Sequence, residues 1–126
     1  LGPWLLNASA FVAQRTARTV DSGATSIHER LAAQWTALAA LAYTFPNDVA
    51  LAASASFTFE GDATIGGADA DRTGHRLPTL TLSGVLPLGD AWRVQGAVFD
   101  NLPISSLGLN QPADIGLSAT VVRSWM

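Results

Sequence analysis

The chain has 126 residues and few charges: 48% of its residues are hydrophobic, 13% are charged, and the net charge is −3. An ordinary soluble domain has about a quarter of its residues charged, so this composition indicates that water is not the chain's main solvent. The negative charge argues against a nucleic-acid partner, whose binding surface is normally strongly basic. The absence of cysteine excludes disulfides and zinc–thiolate sites.

The carboxylates are confined to or beside three long and two very short polar segments, which leaves six stretches free of acids. None of these stretches reaches the roughly 18 apolar residues of a membrane helix, because polar residues interrupt each of them. A charge on the lipid face of a β-barrel costs about 2 to 4 kcal/mol for Arg or Lys at the midplane. The distribution is therefore typical of strands that cross a membrane.

The first predicted strand runs from about Trp4 to Ala17. Its apolar side chains share one parity: Trp4, Leu6, Ala8, Ala10 and Val12. Asn7, Ser9 and Arg15 share the other parity, so a strand here has one apolar and one mixed face.

The second stretch, residues 31–45, is compatible with a strand or a helix. Its odd positions are apolar and its even positions include Gln34, Thr36 and Thr44, which favours a strand. Its alanine content and the capping-box spacing of Ser26 and Glu29 favour a helix. We predict a strand, because a lone helix would break the regular pattern of connections.

Four further stretches alternate in the same way. They run from Val49 to Phe59, Thr79 to Leu88, Trp92 to Val98 and Ile115 to Val121. Most are close to the roughly 9 to 11 residues that cross a bilayer as a tilted strand. Their second faces carry small or polar side chains.

The connections alternate between short and long. The short ones are residues 46–48 and 89–90, and the long ones are approximately residues 20–27, 61–76 and 100–114. Outer-membrane barrels have short periplasmic turns and longer external loops. We therefore predict an all-β fold in which residues 1–126 form one segment of an antiparallel, up-and-down transmembrane β-barrel. The expected location is the bacterial outer membrane, with both termini periplasmic.

Aromatic residues follow the same plan. Near the predicted periplasmic ends are the expected lipid-interface aromatics Trp4, Tyr43, Phe45, Trp92 and Trp125. Phe57 and Phe59 approach the other rim, which completes the two aromatic girdles of a barrel. A soluble β-sandwich with an aromatic core would explain the alternation equally well, but not the pattern of connections.

Two runs resemble a known family. The sequence "YTFPNDVALAASASFTFEGD", which begins at Tyr43, and the terminal "SATVVRSW" resemble the C-terminal half of bacterial outer-membrane transporters associated with phenol-degradation pathways. The resemblance implies passive uptake of small apolar or aromatic compounds. Two features depart from the usual C-terminal barrel strand: the aromatic Trp125 is penultimate, and Arg123 occupies an outward position.

The side chains expected to line a lumen are the inward-facing polar ones, which set the selectivity of a pore. They are Gln34, Thr36, Ser54, Ser56, Thr79, Thr81, Arg93, Gln95, Ser118 and Thr120. Arg15 and Arg30 are expected at the external rim. There they either attract anions or pair with loop acids such as Glu29 or Asp21.

No constellation of an enzyme emerges, so we expect no catalytic residues, metal or cofactor. His28 and His75 fall in predicted external loops, without a second histidine at a metal-ligand spacing. Asp62, Asp69 and Asp71 lie in a glycine-rich run without an EF-hand pattern. A calcium site there is the alternative to a solvated acidic loop.

Six strands are fewer than the eight of the smallest usual membrane barrel. An open sheet in lipid would leave backbone groups unpaired, so the first and last strands should pair with strands outside this sequence. The expected partners are the lipid bilayer and either upstream strands of a longer protein or a second copy. The chain starts at Leu1 without a signal peptide, which favours the longer protein. The alternative function is a structural or self-assembling all-β protein, either soluble or fibrous.

Overall fold

A computed structural model describes residues 2–23, 25–102, 110 and 114–125, and it is all-β with two antiparallel sheets. The six-stranded sheet has the spatial order β1 (Trp4–Ala13), β4 (Gln34–Thr44), β5 (Ala50–Glu60), β8 (His75–Leu88), β9 (Trp92–Asn101) and β10 (Ile115–Arg123). The four-stranded sheet has the order β2 (Arg18–Ser22), β3 (Thr25–Arg30), β6 (Ala63–Ile65) and β7 (Ala68–Ala70). Among these residues no helix could span a membrane.

All six predicted strands are confirmed as strands of the large sheet. The ambiguous second stretch forms β4, which pairs with β1 on one side and with β5 on the other. The preference of its alanines for a helix is overridden because both rows of its backbone groups are taken by neighbouring strands. The order of the sheet is an antiparallel meander that leaves β1 and β10 at opposite edges, and the described strands form no closed barrel.

The register gives the large sheet two chemically different faces. One row of paired residues crosses all six strands with apolar side chains only: Leu6, Leu41, Ala53, Leu82, Val98 and Leu117. Side chains alternate along a strand, so every second residue shares the face of this row. We call it the apolar face and the opposite side the polar face. The strand parities predicted from the sequence agree with this register.

Exposure differs between the faces even for one residue type. On the central strands the alanines of the apolar face are exposed, as Ala39 and Ala53 are, whereas Ala40 and Ala52 on the polar face are half-buried. Because the side chains are identical, the difference reflects the shape of the sheet, which curves around its polar face. Almost nothing is buried: among the described residues only Ala63, Gly74, Pro78 and Asn101 are buried.

The small sheet corrects the prediction that residues 20–27 and 61–76 are loops. The β2–β3 hairpin extends the β1–β4 hairpin beyond interruptions at residues 14–17 and 31–33. The β6–β7 hairpin turns at Gly66 and Gly67, whose φ angles of 61° and 87° favour glycine at both positions of such a turn. β3 pairs with β6 through Glu29–Ile65 and Arg30–Thr64.

Four boundaries also differ from the prediction by three residues or more. β8 begins at His75 rather than Thr79, and β4 begins at Gln34 rather than Leu31. β1 ends at Ala13 rather than Ala17, and β9 ends at Asn101 rather than Val98. Of the third long connection, residues 103–109 and 111–113 lie outside the described part of the chain. Its ends are held by a hydrogen bond in which the Asn101 amide donates to the Asp114 carbonyl oxygen at 2.9 Å.

Candidate functional site

The predicted lumen-lining residues share the polar face of the large sheet. Strand pairing sets Ser54 opposite Thr81, Ser56 opposite Thr79, and Gln95 opposite Thr120, and the parity of each strand brings the remaining residues to the same face: Gln34, Thr36, Arg93 and Ser118. The hydroxyl groups of Thr36 and Thr58 lie 3.1 Å apart, and the Thr79 hydroxyl donates to Asn101 Oδ1 at 2.9 Å. This face therefore carries hydroxyl, amide and guanidinium groups, together with apolar side chains such as Phe11 and Leu38.

Phe99 is a polar-face residue that was not predicted from the sequence. Phe99 lies opposite Gly116, and its ring covers that glycine so closely that a Cβ there would lie 2.0 Å from Phe99 Cε1. The ring therefore occupies the space above the glycine, beside Thr81 on the neighbouring strand. A glycine within an alternating strand was the available signal, because it often marks close approach by another group.

Charged and polar groups collect at the end of the polar face near the small sheet, which we call the long-loop end. Arg15 Nη2 lies 3.3 Å from Glu60 Oε2 and donates to Gln34 Oε1 at 3.3 Å. The Glu60 side chain is only 13% exposed. His75 lies opposite Glu60 in β8 rather than in a solvated loop, and its Nε2 is buried without a hydrogen-bond partner among the described residues. Neither Glu60 nor His75 was predicted as part of a site.

Arg15 and Arg30, the two predicted rim arginines, line one cavity. It has a volume of about 210 Å³, lies at the interruptions between the two sheets, and is lined by Gln14, Arg15, Arg30, Leu31, Ala32, Ala33, Asp62 and Thr64. Arg15 pairs with Glu60 instead of the expected Glu29 or Asp21.

The two acids that were expected to pair with the rim arginines have other partners. Glu29 pairs with Arg18 at 2.7 Å, and Asp21 accepts a hydrogen bond from Ser26. Arg30 forms no ion pair with any residue that the structure describes.

The acidic run does not assemble into a cation site. Asp62 Oδ1 accepts the Gly74 amide at 2.7 Å, and Asp69 accepts the Thr64 hydroxyl at 3.4 Å. In the described part of the chain no three His, Cys, Asp or Glu residues gather as a metal site. His28 Nδ1 instead contacts the Thr19 hydroxyl at 3.0 Å. These carboxylates therefore hold the hairpins in place.

Aromatic residues of the apolar face meet at the end with the two short turns, which we call the short-turn end. The ring centroids of Trp4 and Tyr43 are 4.6 Å apart, and those of Tyr43 and Phe45 are 4.7 Å apart. Near the opposite edge of the sheet, the Arg123 guanidinium lies 5.1 Å from the Trp92 ring and 3.7 Å from the Trp125 ring. At the long-loop end, Arg76 lies 5.5 Å from the ring of Phe59.

Between these ends the apolar face carries a shallow groove of about 530 Å³. The small side chains of Ala39, Ala53 and Ala55 form its floor, and larger apolar side chains of the same face stand around it: Leu6, Leu41, Leu80, Leu82 and Val98. Asp100 is the one charged residue of the lining. A groove that is otherwise mostly apolar suits contact with flexible hydrocarbon.

Comparisons of the chain with protein-family models, with curated proteins and with solved structures found no match. Its function is therefore inferred from the chemistry of the two faces.

Proposed function

We propose that the large sheet is part of the wall of a bacterial outer-membrane β-barrel through which small solutes pass passively. The observation that carries the proposal is the exposed apolar row across all six strands, in which Leu6, Leu82 and Leu117 are 76%, 61% and 84% exposed. Moving a leucine side chain out of water is worth roughly 1.5 to 3 kcal/mol. A lipid bilayer would supply that gain for a face that has no cover within the described chain.

The positions of the tryptophans support a membrane boundary. Trp4 on β1 lies in the same row of cross-strand pairs as Gly96 on β9 and Ala119 on β10. Trp92 lies four residues beyond Gly96 toward the short-turn end, and Trp125 lies six residues beyond Ala119. The aromatic line thus descends by roughly one residue for each step between strands.

This stagger has a geometric meaning. From β1 to β10 there are five steps between neighbouring strands, each about 4.8 Å wide. Over these steps the aromatic line shifts by six residues, each with a rise of about 3.3 Å. The strands are therefore tilted by about 40° from the direction perpendicular to the aromatic line. Transmembrane barrels have strand tilts of about 35° to 45°. A core-filling role in a soluble sandwich would not require tryptophans on separate strands to follow one line with this slope.

The height of the apolar band also suits a membrane. Trp4 and Val12 on β1 are eight residues apart, as are Tyr43 and Trp35 on β4. At about 3.4 Å per residue and a tilt of about 40°, this separation spans about 21 Å along the membrane normal, close to the roughly 25 Å of outer-membrane barrels. The charged β2–β3 hairpin begins beyond this band.

The polar face would then line the solute path. Its titratable groups within the six strands lie at its two ends, with Arg93 at the short-turn end and Glu60 and His75 at the long-loop end. The middle carries Ser54, Thr81 and Phe99. A path with small hydroxyl groups and an aromatic ring at its centre favours small neutral solutes, in keeping with the uptake of apolar or aromatic compounds implied by the family resemblance.

Labelling of neighbouring residues tests the assignment of the two faces. Leu82→Cys and Thr81→Cys, each carrying an environment-sensitive fluorophore, would be reconstituted in phospholipid vesicles. The probe at residue 82 should be quenched by lipids that carry a quencher in the acyl chain, and the probe at residue 81 by a water-soluble quencher.

Equal quenching of both probes from the aqueous side would contradict the proposal. Together with a chain that stays monodisperse in buffer without detergent, that result would support the alternative of a soluble or self-assembling β-protein.

A further inference from the structure

Arg123 is a charged residue on an otherwise apolar part of the sheet. It lies opposite Trp92 in the register, and its guanidinium is placed between the rings of Trp92 and Trp125 at 5.1 Å and 3.7 Å. It forms no ion pair with any described residue, whereas Arg15 and Arg18 at the other end of the molecule do. Its charge is therefore stabilised by aromatic faces and lacks a carboxylate counter-ion in the described chain.

Two aromatic rings leave much of the hydrogen-bonding capacity of a guanidinium unused. Rings contact its plane, whereas its five N–H donors point outward along the edges of that plane. The planar fork matches two oxygens of a carboxylate or a phosphate. A carboxylate or a phosphate could therefore accept hydrogen bonds from Arg123 while both rings stay in place.

The surroundings of Arg123 point to a lipid as the source of that anion. Arg123 lies within two residues of Trp125 on the aromatic line, at the depth assigned above to the membrane boundary. One row further toward the middle of the sheet, Leu86, Val94 and Val121 are paired on the same face and give an apolar floor. A headgroup phosphate at Arg123 would place its acyl chains over this floor, which a free phosphate ion could not use.

We infer that Trp92, Arg123 and Trp125 form a binding site for the phosphodiester of an anionic glycerophospholipid in the leaflet at the short-turn end. The inference rests on the proposed membrane function. Arg123 donates a bidentate pair of hydrogen bonds to the phosphate oxygens, and the two indole rings hold the guanidinium in the plane of the headgroups.

Arg93 provides a matched control. It lies next to Trp92 on β9 and opposite Val122, so it is level with Arg123 but on the polar face. Arg93→Gln and Arg123→Gln make the same change in charge at the same depth. A general effect of the chain's charge on binding to an anionic membrane would respond equally to both substitutions.

The experiment titrates the full chain and its variants with vesicles of phosphatidylcholine alone and of phosphatidylcholine mixed with phosphatidylglycerol, with tryptophan emission as the readout. The unaltered chain should prefer the mixed vesicles by about five-fold, the effect expected of one arginine at an anionic surface. Arg123→Gln should abolish the preference, Arg93→Gln should retain it, and inorganic phosphate should not compete.

Several results would overturn the inference. Equal losses in Arg93→Gln and Arg123→Gln would mean general electrostatics, and full competition by inorganic phosphate would mean a site for free anions. A full preference in Arg123→Lys, which keeps the charge but not the fork, would exclude bidentate recognition. Failure of the unaltered chain to bind either vesicle would instead refute the membrane function, whereas binding to both without preference would refute only the lipid site.

Discussion

A series of arginine substitutions along β8 distinguishes a lipid-facing from a water-facing surface. Leu82, Leu86 and Leu88 lie on the apolar face and are 61%, 49% and 51% exposed. If the face were in water, a substitution should therefore have a similar effect on stability at all three positions. In a membrane they differ in depth. Leu88 lies opposite Trp92 at the aromatic boundary, whereas Leu82 lies near the middle of the band.

The expected cost follows from that depth. An arginine on the lipid face costs about 2 to 4 kcal/mol at the bilayer midplane and about 0 to 1 kcal/mol near the interface. Leu82→Arg should therefore destabilise the chain folded in vesicles by about 2 to 4 kcal/mol, Leu86→Arg by an intermediate amount, and Leu88→Arg by about 1 kcal/mol or less. In a soluble protein, each substitution at an exposed site would stay within about 0.5 kcal/mol.

The measurement is urea-dependent folding of the reconstituted chain, followed by tryptophan emission. Thr81→Arg is the control, because it adds the same side chain one residue from Leu82 on the opposite face. It should leave folding nearly unchanged and alter conductance instead. A flat series along β8, or equal damage from Leu82→Arg and Thr81→Arg, would refute the assignment of the apolar face to lipid.

Three further substitutions test contacts within the sheets, each by the free energy of unfolding. Gly116→Ala should destabilise the sheet by about 1 to 3 kcal/mol because its Cβ meets the Phe99 ring, and Phe99→Leu should relieve the loss. Glu60→Gln should cost at most about 1 kcal/mol because it removes the ion pair with Arg15. Adding Arg15→Gln should cause no further loss of stability. Gly89→Ala should cost about 1 to 2 kcal/mol because φ there is 73°, whereas Gly89→Asn should be tolerated better.

The six long strands and their faces could be predicted because successive side chains of a strand point to opposite faces, so that every second residue shares one environment. Leu82 and Thr81 are neighbours in sequence and lie on opposite faces, so a face in contact with an apolar phase leaves a period-two pattern. For β4 the regular pattern of connections decided between strand and helix. The alternation of the connections predicted the meander, since short turns can join only adjacent antiparallel strands.

The small sheet could not be predicted, because its strands are only three to six residues long and their few apolar side chains, such as Val20, Ile27 and Ile65, are too widely scattered to mark a strand. The composition of residues 18–30 and 63–70 is equally typical of solvated loops. Their strands are held by backbone pairing and by local contacts such as Arg18–Glu29. The pairing of Arg15 with Glu60 was missed for a related reason: it joins residues 45 positions apart in sequence, through a register that the sequence does not encode locally.

The edges of the large sheet also bear on what surrounds it. Soluble β-proteins protect edge strands with charges, proline or bulges, because an unprotected edge pairs with other chains. β1 has no charged residue over Trp4–Ala13, and β10 has a single one, Arg123, at its end. Both edges run unbroken over ten and nine residues and are largely exposed. Edges of this composition are suited to being paired, so we expect β1 and β10 each to hydrogen-bond to a further antiparallel strand, from a longer protein or from a second copy, in the functional state.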